Sequence, residues 1–208
     1  LKILDAVGAL DADDLAAELS RPPADIARAL QRLADAHALL LHPGTTVPWV
    51  VHPFALSAGS CWVETERGGY WANCLYCACG IAASLSCDAH IHTRYGGEAE
   101  PVVFRVANGA LTDTGDVFHL STPAAHWWDN VIFACASFQP FRSAKDIDDW
   151  CRRHAMPKGA VLSLPQPVDP RSRAEICSRL FSRVCESGYK LSRVQSAADI
   201  IHQTTGHP

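Results

Sequence analysis

Three observations predict an α+β fold, with a winged-helix-like helical N-terminal region (residues 1–52) joined to a mixed, mainly antiparallel α+β core (residues 53–208). Apolar residues recur at helical spacing up to about residue 35. Short apolar segments bounded by Gly and Pro dominate from Pro53 onward. No strand–helix–strand pattern repeats, so nothing in the order of elements demands a parallel sheet.

The apolar stretch from Leu1 to Leu10 reads as the end of a helix. Asp11 then caps a helix carrying Leu15, Ala16 and Leu19. Arg21-Pro22-Pro23 interrupts it, and Asp25 opens a second helix with Ile26, Leu30 and Leu33 on one face. A strand at residues 38–41, a Pro43-Gly44 turn and a strand from Val47 to Val51 complete a helix–turn–helix–wing pattern. As a DNA reader its second helix would offer Arg28, Gln31 and Arg32. Asp25 and Asp35 share that helix and the neighbourhood is not basic, which favours a packing module.

In the core, residues 61–65 read as a strand, Gly68-Gly69 as a turn, and the small and apolar run from about Asn73 to Leu85 as a buried helix. Strands are expected over 88–95, where Ala89 and Ile91 alternate with His90 and His92, over 102–106, and around His119. Ser143, with Asp146 three residues on, caps a helix that carries Ile147 and Trp150 and ends near Met156-Pro157. A strand over 161–164, an amphipathic helix over 171–186 and a partly helical tail from Ser192 close the chain.

With 208 residues, 48% hydrophobic and 19% charged, the chain can bury a core without disulfide staples. Its net charge of −4 argues against nucleic acid, and no apolar run approaches the roughly 18–20 residues that span a bilayer. No signal peptide is visible, and residues preceding Leu1 are expected because the chain opens without Met. Nine cysteines, an odd number unevenly spread, point to a reducing cytoplasmic setting rather than a disulfide framework.

Three of those thiols, Cys74, Cys77 and Cys79, fall within six residues. Cys74 and Cys77 share a face at i, i+3, and a helix N-terminus there would favour thiolate. Several readings stand side by side: buried apolar residues, a zinc site completed by His90 and His92, a redox dithiol, or a soft-metal centre shared with Cys135. His119 and His126, like His90 and His92, read as surface or strand-face residues rather than ligands, and Cys61, Cys87, Cys151, Cys177 and Cys185 as structural.

The run Tyr70-Trp71-Ala72-Asn73-Cys74, followed by Gly80-Ile81, the stretch from Ala89 to Val106, Phe133-x-Cys135, Ser143 and Asp149-Trp150, resembles the organomercurial (alkylmercury) lyase family over roughly residues 10–160. The resemblance implies the two-part α+β fold above and a lyase that cleaves carbon–mercury bonds with two cysteines and one aspartate. Cys74 and Cys135 match the two cysteines, and Cys77 stands at the aspartate's position. A further structural cysteine of the family is replaced by Tyr95. The implied chemistry is thiolate coordination of R–Hg⁺ and protonolysis of the carbon. It gives a hydrocarbon and bound Hg(II), with no organic cofactor and with low-molecular-weight thiols carrying the metal away.

Cys77 could donate the proton or become a third soft ligand, and Asp129 is a substitute acid. Tyr76, Trp127, Trp128 and Phe133 are candidates for the wall of an apolar substrate pocket, against plain core packing. The expected partners are a small organometallic substrate and small thiols, with no membrane and no nucleic acid. Two other functions fit the same residues: the family fold turned to other thiol chemistry, and a thiolate metal-binding or metal-responsive regulator.

Overall fold

The computed structural model describes residues 12–163 apart from residue 113. The expected helices over 1–10 and 171–186, the Asp11 cap, the tail from Ser192, and Cys177 and Cys185 lie outside the described residues. The chain divides into two compact units, one running to Ser57 and the other starting at Ala58.

In the first unit, α1 (Ala12–Leu19) and α2 (Pro23–Asp35) precede three short strands, β1 (Leu39–Leu41), β2 (Pro48–Val51) and β3 (Phe54–Ala55). Consecutive strands pair antiparallel. Leu15, Ala16, Ile26, Leu30, Leu33 and Leu39 meet in one buried cluster, as the helical spacing requires. α2 begins at Pro23, two residues before the expected start. A proline in the first turn lacks only an N–H that has no partner within the helix there.

The second unit is built on an antiparallel sheet of β4 (Cys61–Thr65), β5 (Gly68–Ala72), β6 (Ala89–Arg94), β7 (Pro101–Ala107) and β8 (Ala110–Leu111), in the order β5-β4-β6-β7-β8. Strand β6 alternates strictly, with Ala89, Ile91 and Thr93 buried and His90, His92 and Arg94 exposed. The helix α3 (Leu75–Leu85) packs on β4, β5 and β6. Its small residues Ala78 and Ala82 are buried, and Ser86 ends it in the left-handed region.

Gly68 and Gly69 are not the turn that the sequence predicts. Both belong to β5, and the turn is made by Glu66 and Arg67. Gly69 is there for packing: a Cβ would fall 1.9 Å from the Trp62 ring, which lies across it.

A second antiparallel sheet of order β10-β9-β11 combines β9 (Val117–Leu120), β10 (Gln139–Phe141) and β11 (Ala160–Ser163). Between β9 and β10 lie a 3₁₀ turn (Ala124–Asp129) and the short helix α4 (Val131–Ala136); α5 (Ala144–His154) precedes β11. The predicted Ser143 cap is present, its Oγ accepting from the Asp146 amide at 3.3 Å.

His119 departs from expectation. It is fully buried because β9 is the central strand, and the rings of Phe141 and Trp150 pack against it. Its Nε2 accepts from the Gly159 amide at 3.1 Å, and burial holds its pKa below the usual histidine value, so it is neutral.

The link from this framework to the thiols is short. Gly59 passes so close to the end of β5 that a Cβ would sit 2.2 Å from the Ala72 carbonyl oxygen. Gly59→Ala should therefore destabilise the protein by about 2 kcal/mol or more, since backbone there must move. A fall in the urea midpoint checks this; an unchanged midpoint would show that the two segments part easily.

Candidate active site

Cys74 occupies the N-cap of α3 with extended backbone (φ −158°, ψ 170°), and its carbonyl accepts the first helical bond from the Ala78 amide at 2.9 Å. Its thiol makes no capping bond, which leaves it free to face inward. Cys77 follows in the first turn on the same face, its Sγ 3.6 Å from Cys74 Sγ.

The approach to Cys74 is clamped from the sheet. Thr93 Oγ1 donates to the Ser60 carbonyl at 3.0 Å, and Ser60 Oγ donates to the Asn73 carbonyl at 2.6 Å. These positioning residues carry no motif, and the sequence offered no signal for them beyond an alternating strand.

The third sulfur arrives from α4. Asn130 caps that helix, its side chain accepting from the Phe133 amide at 3.0 Å, and Cys135 lies on the buried side with Val131 and Ala134. The Sγ atoms of Cys74, Cys77 and Cys135 all lie within 4.8 Å of one another. They are 0%, 5% and 6% exposed, respectively. Among the described residues no histidine or carboxylate joins this cluster.

Electrostatically the trio behaves as one unit. Hydrogen bonds from Cys74 and Cys77 pull the Cys135 pKa down to about 4. The same bonds, together with burial, push the two donors well above the ordinary thiol value. Cys74 has a reason of its own to hold charge, because the α3 dipole points its positive end there. One thiolate stabilised by two thiols is thus a property of the cluster, not of a single sulfur. Cys61, placed opposite Ala72 in the β4–β5 register, acts electrostatically on both Cys74 and Cys135. Burial pushes it up to about 12, so it stays a neutral thiol.

The remaining candidate residues are dispersed. Asp129 sits at the surface with its carboxylate 2.9 Å from His126 Nδ1, drawn to a histidine rather than to the sulfurs. His92 pairs with Glu64 at 3.2 Å, and His90 is exposed on the same strand, so neither completes a zinc site with the cysteines. Tyr76 and Trp127 meet edge to face at 6.1 Å, and Trp127 also packs on Phe138. Trp128 is half-buried, whereas Phe133 is 52% exposed. Tyr95 donates to the buried Asp116 carboxylate at 3.2 Å, a structural bond. Cys79 lies on the opposite face of α3 from Cys77 and lines a separate cavity of about 610 Å³ with Cys87 and Arg105.

A buried cluster of three sulfurs of this kind could hold a soft metal ion. The model of the alkylmercury lyase family (MerB) matches residues 54–169, more than half of the chain, and the chain belongs to that family. In fold it is similar to the mercury-bound form of MerB2, with a TM-score of 0.59 over 86% of this chain and 84% of that one, at 15% identity. No curated protein sequence matches it. Lyases of this family need no organic cofactor; Hg(II) is their bound product and thiols release it. Among the described residues no helix is long and apolar enough to cross a membrane.

A thiol raised by burial binds its proton more tightly folded than unfolded. The Cys61 contribution to stability is therefore complete below the unfolded pKa of about 8.5 and is lost as pH rises towards about 12. Urea midpoints taken at about pH 7 and about pH 10.5 should fall for the wild type. Cys61→Ala should start lower, through lost packing, and fall less steeply; an equal slope would contradict the assignment.

Proposed function

We propose that the chain is an organomercurial lyase in which the cluster itself supplies the acid. One observation carries this reading: three sulfurs within 4.8 Å with no carboxylate among them. Cys74 and Cys135 bind R–Hg⁺ as thiolates, and the second thiolate donates electron density that weakens the Hg–C bond. Cys77, held protonated by burial and its neighbours, gives its proton to the carbon. The Hg–C pair of electrons becomes the new C–H bond, R–H leaves, and the Cys77 thiolate becomes the third ligand to Hg(II). Donor and third ligand are then successive states of one side chain.

Low-molecular-weight thiols remove the metal, as in the family. Tyr76, Trp127, Trp128 and Phe133 are the proposed surroundings of the organic group. Phe133 stands at the solvent side two residues before Cys135, which suits the entry side of the site. The cytoplasm, with its reduced thiols, is the proposed compartment.

The winged-helix-like region, residues 1–52, we read as a packing module. Arg28 is bound to Asp25, and Gln31 donates to Asp35 at 2.9 Å, so two of the three candidate DNA-reading side chains are engaged within their own helix. The same observation weighs against a metal-responsive regulator. A family fold turned to other thiol chemistry is the second reading, and Cys77 at the acid position favours it.

Phenylmercury incubated with the reduced protein should yield benzene, with mercury retained on the chain. Cys74→Ser or Cys135→Ser should abolish release, and Cys77→Ser should slow it about a hundredfold or more, the usual size of an acid's contribution. Cys77→Asp should restore turnover and speed mercury release. Intact phenylmercury on the wild type, with cleavage by Cys77→Asp alone, would replace the lyase reading with the second one.

A further inference from the structure

We propose that Cys74, Cys77 and Cys135 also form a binding site for trivalent arsenic, taken up as arsenous acid and held as a neutral tris-thiolate. The inference uses the same cluster as the proposed lyase but does not depend on cleavage. Three features support it.

The first is geometry. With metal–sulfur bonds of about 2.3 Å, a pyramidal three-coordinate centre sets its sulfurs about 3.3–3.6 Å apart, and a linear two-coordinate one about 4.6 Å. The Cys74–Cys77 separation is 3.6 Å, and no pair in the trio exceeds 4.8 Å. Cys74 and Cys77 already stand at the pyramidal spacing, and both edges to Cys135 lie within 4.8 Å, a span that a rotation of the Cys135 side chain would need to close.

The second is charge. Three thiolates carry −3, so a divalent ion leaves −1 in a site whose members are at most 6% exposed, whereas a trivalent one leaves zero. Among the described residues, the ionisable groups that shift Cys135 are Cys74, Cys77 and Cys61, all thiols, so none of these offsets a residual negative charge. A buried net charge without a partner is costly, and the neutral complex avoids that cost.

The third is the donor set. Sulfur alone, without oxygen or nitrogen, selects a thiophilic ion over zinc or a hard cation. The uptake balances without an oxidant: three As–O bonds of As(OH)₃ break, three As–S bonds form, and the three thiol protons leave in three waters. Arsenic stays trivalent. Once the first thiol has reacted the other two are delivered by the same scaffold, so the later steps are intramolecular.

The test uses the full reduced chain, sodium arsenite and desalting. Expected are one arsenic per chain, loss of three titratable thiols, and an X-ray absorption shell of three sulfurs. Cys77→Ser should weaken binding about a hundredfold, the scale on which a tethered third contact acts. Cys79→Ser, on the other face of α3, should bind as the wild type does. A two-sulfur shell in the wild type, or no retained arsenic, overturns the inference without reliance on any variant. Benzene release from phenylmercury on the same preparation separates the two readings. Release by a protein that takes up no arsenic overturns this inference alone; three-sulfur arsenic in a protein that releases none supports it and counts against the lyase.

Discussion

The constraint on which the rest of the core depends is the burial of three sulfurs side by side with, among the described residues, no cation acting on Cys135 to balance them. Two thiols can donate to a third, so one negative charge is tolerated, but a second would meet the first across a few ångströms of low-dielectric interior. Such a cluster persists only if the surrounding backbone leaves the sulfurs no alternative. The clamp from Thr93 through Ser60 to Asn73 holds the residue before the α3 N-cap. Gly59 allows the two backbones to touch, and the small residues Ala78 and Ala82 of α3 are buried. On the other side the Asn130 cap starts a helix just long enough to carry Cys135 inward.

Local features of the chain are legible in its sequence because they depend on neighbours a few residues away. The i, i+3 relation of Cys74 and Cys77, the Ser143 cap and the alternation of β6 are of this kind. A centre shared by Cys135 and the pair is one of several readings of the residues alone, and the family resemblance singles it out, since nothing local links residues about sixty apart. The features that the sequence does not show are tertiary. Gly68-Gly69 looks like a turn until Trp62 is seen to need the space above Gly69. His119 looks like a strand-face residue until strands are placed on both sides of it. Asp129 is close to Cys135 in sequence, yet its carboxylate turns outward to His126. Ser60 and Thr93 had no motif at all, because their role is to accept and donate across strands whose register a sequence does not state.

In the proposed lyase, a cysteine at the acid position in place of the family's aspartate would change the thermodynamics of the site. A carboxylic acid that has given up its proton remains a hard, weakly competing ligand for a soft ion. A thiol that has done so becomes a ligand of the same strength as the two already bound. Proton donation and product retention are therefore tied together when the acid is Cys77, and separable when it is aspartate. The charge balance then decides how firmly a product is kept. A divalent ion on three thiolates leaves the closed site negative, which favours exchange with external thiols and return of a proton to Cys77. A trivalent ion leaves it neutral and removes that incentive. Under the two proposals, the same three sulfurs would turn over one class of soft ion and sequester another, with the difference set by a single unit of charge.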